Sequence, residues 1–123
     1  WLTVHGYLDK QKADDKHKYY ELLSNARLFV NTTRGWSGFQ ALLEAMYFHN
    51  PIVVRPNESL SNYFTNLTAV AYLVEEGGLG LSSLLAETLT DSDRYQKMSD
   101  AARKAVESST WNNFMTEFSA LLR

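Results

Sequence analysis

The sequence has no cysteine, which excludes a disulfide framework, a thiol nucleophile and a cysteine-ligated metal, and permits a reducing compartment. It also lacks an excess of either charge: 12 lysines and arginines stand against 14 aspartates and glutamates, a formal net charge of -2. That leaves no basic field for nucleic acid and no acidic tail. No apolar run approaches the roughly 20 residues that a membrane helix requires, and the start does not read as a signal peptide. A cytoplasmic location is the expectation. The only histidines are His5, His17 and His49; none forms an i, i+4 pair and no acidic cluster completes a metal site, so no metal is expected. Internal repeats and low-complexity segments are missing too. What is present is apolar substance. In 123 residues, 45% are hydrophobic and 13% aromatic, enough for one domain with a sizeable core.

The chain is organised around NARLFVNTTRGWSGFQALLEAMYFHNPIVV, from Asn25 to Val54. Leu28, Phe29 and Val30 form a short apolar run without polar alternation, as expected of a strand buried on both faces of a parallel sheet. A polar loop follows. Phe39, Leu42, Leu43, Met46 and Tyr47 then recur at helical spacing, and Asn50-Pro51 stops the helix because the residue before proline is pushed out of the helical region. Ile52, Val53 and Val54 make the next strand. In such strand-loop-helix units ligands meet the carboxyl ends of the strands, which singles out the loop from Thr32 to Gly38.

On either side the same alternation continues. Trp1 to Val4 reads as a first strand closed by His5-Gly6. A charged stretch, Lys10 to Lys18, leads to a helix whose buried face is Tyr19, Tyr20, Leu22 and Leu23, stopped by Ser24-Asn25. Arg55 to Ser59 is a loop, Leu60 to Phe64 a helical turn, and Ala69 to Val74 a further strand. Glu75 to Gly78 breaks the chain before a helix with Leu81, Leu84, Leu85 and Leu89 on one face. Two helices end it: Tyr95, Met98, Ala102, Ala105 and Val106 mark one, capped by Asp91 or Ser92. Trp111, Phe114, Met115, Phe118, Leu121 and Leu122 mark the other, capped by Thr110. Strands alternating with amphipathic helices predict an α/β fold with a doubly wound, three-layer parallel sheet. Asn-x-Ser/Thr sequons begin at Asn31, Asn57 and Asn66; with no secretory signal they are read as chance matches.

The residues ARLFVNTTRGWSGFQALLEAM followed by NPIVV resemble the donor-binding half of retaining glycosyltransferases with the GT-B fold, over most of the chain. Leu43-Glu44-Ala45-Met46 and Pro51 to Val54 match the family's Leu-Glu-Ala-Met and Pro-Val-Val. His49 stands where the family has a glycine two residues before the proline. Trp36, eight positions before Glu44, stands where the family has its first glutamate. The resemblance implies a Rossmann-like half of a two-domain enzyme that takes a nucleoside diphosphate sugar as donor substrate and needs no cofactor. Beginning at Trp1 without methionine, the chain is expected to be a fragment, residues 1–123 forming the nucleotide-sugar-binding domain. An amino-terminal acceptor domain would be its partner, any peripheral membrane association would come through that half, and the fragment alone would be inactive.

The resemblance gives Glu44 the role of accepting hydrogen bonds from ribose hydroxyls, for which a carboxylate with two acceptor oxygens is suited; the plain alternative is a solvated helix glutamate. Ser37, Gly38 and Phe39 lie where a helix amino terminus points free N–H groups, which suits a diphosphate, although serine and glycine are also ordinary cap residues. Arg34 would add charge to the same phosphates. Glu58, in Pro56-Asn57-Glu58-Ser59, lies near the family's Gly-Gly-x-Pro-Glu-like turn and is a candidate sugar or acceptor contact. No catalytic residue is assigned. The rival reading is a catalytically silent transferase-like module that binds nucleotide, glycan or a partner protein, and Trp36 in place of the glutamate is its support. A receiver-like signalling domain is set aside, because Asn31-Thr32-Thr33 offers no phosphoacceptor aspartate at the central strand end.

Overall fold

Ile52, Val53 and Val54 carry no polar side chain, and all three are buried in the computed structural model, which describes residues 2–33, 38–74 and 80–122. They form β2, the middle strand of a parallel sheet ordered β1-β2-β3, with β1 at Phe29–Asn31 and β3 at Ala71–Leu73. Phe29 pairs with Ile52 and Ile52 with Ala71, and so on along three residues. α1 (Ala13–Asn25) precedes β1, α2 (Phe39–Tyr47) joins β1 to β2, and α3 (Glu58–Tyr63) with a 3-10 turn at Leu67–Ala69 joins β2 to β3; α4 (Leu81–Thr90), α5 (Ser92–Val106) and α6 (Trp111–Leu121) follow β3.

The two faces of β2 are buried by different side chains, as alternation along a strand requires. Ile52 and Val54 pack with Leu42 and Met46 of α2, Leu60 of α3, and Ala102 and Val106 of α5. Val53 packs with Tyr72, Val74 and Met98, covered by Leu81, Leu84 and Leu85 of α4. The fold is therefore mixed α/β around a small parallel sheet.

The first expected strand does not form. Residues 2–4 have no regular structure, Leu2 and Val4 are 88% and 81% exposed, and β1 is left as an edge. β-branched composition makes a strand only where a partner ladder receives it. For the same reason β1 is half-buried rather than buried on both faces, with Val30 exposed. The strand expected from Ala69 to Val74 shortens because Ala69 closes the 3-10 turn and β2 offers only three residues to pair with. In α4 Leu89 faces solvent and Thr88 is buried instead, its hydroxyl satisfied by Leu84 O at 2.7 Å. In α5, Met98, Ala102 and Val106 are buried as expected, whereas Ala105 is exposed. Every described residue of α6 is exposed, and Trp111, Phe114 and Phe118 lie ring against ring along it, 5.4 and 6.1 Å apart. Among the described residues no helix is long and apolar enough to cross a membrane.

Helix α2 ends differently from the sequence expectation. His49 adopts a left-handed φ of 64°, its N–H bonds Met46 O at 3.0 Å, and the Asn50 N–H bonds Ala45 O at 3.1 Å. This pair of bonds is a Schellman termination, and it normally uses glycine. Helix α5 completes the end: Ser99 Oγ donates to His49 O at 2.7 Å and Arg103 donates to Tyr47 O. A His49→Gly variant should gain about 0.5–1 kcal/mol by removing the Cβ penalty, less the extra chain entropy of glycine. Urea denaturation tests this. A loss of stability would mean that the exposed His49–Asp100 contact, 3.9 Å long, outweighs the strain.

Candidate functional site

At the carboxyl end of β1 the Asn31 side chain folds back on the loop, Oδ1 accepting from Thr33 N at 3.1 Å and Thr33 Oγ1 at 2.7 Å. Gly38 lies against that strand end. Its φ is +89°, and a Cβ there would come within 2.9 Å of Asn31 Nδ2. Gly38 O accepts the Leu42 N–H at 2.9 Å, so Gly38 opens the first turn of α2. Arg34, Ser37 and Trp36 lie outside the described residues.

Glu44, the sixth residue of α2, is partly buried, its side chain 17% exposed. Lys10 Nζ reaches both its oxygens, at 2.9 and 3.1 Å, Tyr19 Oη donates to Oε2 at 2.7 Å, and Gln40 Nε2 lies 3.4 Å from Oε1. Burial by itself would raise the Glu44 pKa. The hydrogen bonds from Tyr19, Lys10 and Gln40, with the Lys10 charge, outweigh it and hold the carboxyl below its ordinary value. The Tyr19 phenol moves the other way, raised first by burial and then by its hydrogen bond to Glu44 and the nearby negative charge. Glu44 is thus a fixed carboxylate, and any stability this contributes is present above its unfolded pKa and is lost as pH falls through the lowered folded one. It also lines a cleft of about 190 Å³ between α2 on one side and, on the other, Val106 at the end of α5 with Ser109 and Thr110 of the connection to α6.

The other expected site residues are placed differently. Phe39 turns inward, packing edge-on to Tyr63 at 5.1 Å and against the core, so its ring serves the fold. Glu58 is exposed in the first turn of α3, after Asn57, whose Oδ1 accepts the Leu60 N–H at 3.0 Å. Gly38, Phe39 and Glu44 therefore share one element, while Glu58 belongs to the helix after the neighbouring strand. All three sequon asparagines have local work: Asn31 and Asn57 as above, and Asn66 accepting from Thr68 Oγ1 at 2.9 Å.

Sequence reasoning missed Lys10 and Tyr19 as partners of Glu44, since they stand 34 and 25 residues away from it. Only Gln40, one helical turn earlier, was available from spacing. A family model described as glycosyl transferase-like matches residues 2–120 of the chain. No curated protein and no solved structure matches it.

Proposed function

The chain belongs to the glycosyl transferase-like family, and on that premise we propose that it is the donor-binding half of a two-domain GT-B glycosyltransferase acting in the cytoplasm. It transfers a sugar from a nucleoside diphosphate sugar to an acceptor held by an amino-terminal domain. The observation that carries this reading is Glu44, an ionised carboxylate fixed on the helix that leaves the carboxyl end of β1. The coverage of both faces of β2 supports the finer fold reading, a doubly wound three-layer sheet.

In this reading the diphosphate lies at the amino terminus of α2, near Ser37 and Gly38, where free N–H groups and the helix dipole favour an anion. Arg34 adds charge. Six residues of helix from Gly38 to Glu44 rise about 9 Å, so a ribose joined to that diphosphate falls within reach of the carboxylate. The developing charge on the leaving diphosphate is met by this helix end without a metal. Glu58, on the adjacent strand-helix junction, is left for the sugar or the acceptor.

Glu44→Gln keeps the size and one acceptor but loses the charge. It should weaken binding of uridine or guanosine diphosphate to the full-length protein by about 1–2 kcal/mol, the scale of a hydrogen bond to a charged group. Calorimetric titration measures it, and equal affinities of parent and variant would remove Glu44 from the site. Trp36, standing where a catalytic glutamate would be, favours a second reading, a module that binds nucleotide, glycan or protein without turnover. Nucleotide binding with no transfer to any acceptor by the full-length protein would select it.

A further inference from the structure

We infer that Tyr19 is the positioning residue of the donor site: its hydroxyl anchors Oε2 of Glu44 and leaves Oε1 to receive the ribose hydroxyls. The inference rests on the reading of Glu44 as a ribose acceptor. The two oxygens of the carboxylate are held unequally. Oε2 accepts from Tyr19 at 2.7 Å and from Lys10 at 3.1 Å, whereas Oε1 accepts from Lys10 at 2.9 Å and has Gln40 only at 3.4 Å. A contact of 3.4 Å lies at the outer limit of a hydrogen bond. An arriving hydroxyl displaces Gln40, which lines the same cleft as Glu44, and leaves the short bond to Tyr19 in place.

Tyr19, not Lys10, is suited to fix the carboxylate. The Lys10 side chain is 41% exposed and follows a segment without regular structure, so its ammonium is solvated and its long stem costs entropy to hold. Tyr19 has a planar ring on a thirteen-residue helix, packed edge-on to Tyr20 at 5.4 Å and under Lys10 Nζ at 4.8 Å. That helix is itself tied to the end of α2, because Asn50 Nδ2 donates to Leu23 O at 2.7 Å. The groups facing Glu44 are Lys10 from the amino-terminal segment, Tyr19 from α1 and Gln40 from its own helix, with Tyr20 beside Tyr19. With its phenol pKa raised, Tyr19 remains a donor throughout the neutral range.

The test uses the full-length protein and a Tyr19→Phe variant, which keeps the ring and removes the donor. Three quantities are read: the Glu44 carboxyl titration by carbon NMR, the affinity for uridine and guanosine diphosphates between pH 5 and 8, and the melting temperature. Tyr19→Phe should melt close to the parent, titrate Glu44 at higher pH, and bind the nucleotide about 5- to 10-fold more weakly. A role in packing alone would be rescued by phenylalanine. If the parent binds, Glu44→Gln weakens binding and Tyr19→Phe binds like the parent, the positioning role is overturned and the ribose reading of Glu44 stands. If the parent binds and Glu44→Gln is without effect, the ribose reading itself fails and the positioning role falls with it. A parent that binds neither nucleotide overturns both.

Discussion

Asn50→Asp should cost about 2–4 kcal/mol of stability at pH 7, although it replaces one NH₂ by an oxygen. Asn50 is 1% exposed, and its Nδ2 donates to Leu23 O, a last-turn carbonyl of α1 that the helix itself cannot satisfy. Its Oδ1 has no partner among the described residues, so the carbonyl acceptor at Leu23 fixes which way the amide points. Aspartate would set a carboxylate oxygen against that carbonyl, in a buried place where no cation among the described residues is bonded to the Asn50 side chain. Desolvation then raises the carboxyl pKa in the folded state above its unfolded value of about 3.9. With a raised folded pKa, the ionisation penalty is absent below the unfolded pKa, grows as pH rises between the two values, and is complete above the folded one. Once protonated, the introduced carboxyl also regains a donor for Leu23 O. Urea denaturation of parent and variant between pH 3.5 and 7 should therefore show their difference narrowing on acidification. A difference independent of pH would mean that the site admits water or a counter-ion.

The parts of the fold legible in the sequence are those fixed by local pattern and by burial. Ile52 to Val54 can only be a buried strand, and Leu42 and Met46 sit one turn apart on a single apolar stripe; both readings are met. Asp91 and Thr110 cap their helices because the side-chain oxygen needs only the N–H three residues on, at 3.0 and 3.3 Å. Failures begin where the answer depends on a partner distant in sequence. Residues 2–4 have strand composition but no ladder to join. The stripe of α6 has helical spacing, yet spacing does not say whether anything covers it, and here it is exposed. Glu44 is singled out by its resemblance motif alone, whereas its contacts with Lys10 and Tyr19 form only after the chain has folded. His49 is an intermediate case. The resemblance marks it as a glycine position, and its φ of 64° supplies the physical reason for glycine there, but nothing in Phe48-His49-Asn50 announces a left-handed residue.

A left-handed backbone constrains Gly38 more than His49, because a Cβ at Gly38 also meets Asn31. Gly38→Val should lose on the order of 2–3 kcal/mol of stability before any ligand is considered, because two separate costs meet there. The first is backbone: φ is +89°, a region that a β-branched residue enters only as an outlier. The second is steric, since the new Cβ alone would stand 2.9 Å from Asn31 Nδ2 before the valine methyls are added. Asn31 does not yield freely, because its Oδ1 holds the Thr33 N–H and hydroxyl and thereby shapes the loop at the end of β1. A loss of nucleotide binding in this variant would therefore not by itself report a crowded diphosphate. The two causes separate when the ligand is left out. Urea unfolding of ligand-free parent and variant should show the variant midpoint clearly lowered, with Gly38→Ala falling between them. If Gly38→Val unfolds at the parent's midpoint yet no longer binds uridine or guanosine diphosphate, the glycine is required for the approach of phosphate and not for the junction of β1 with α2.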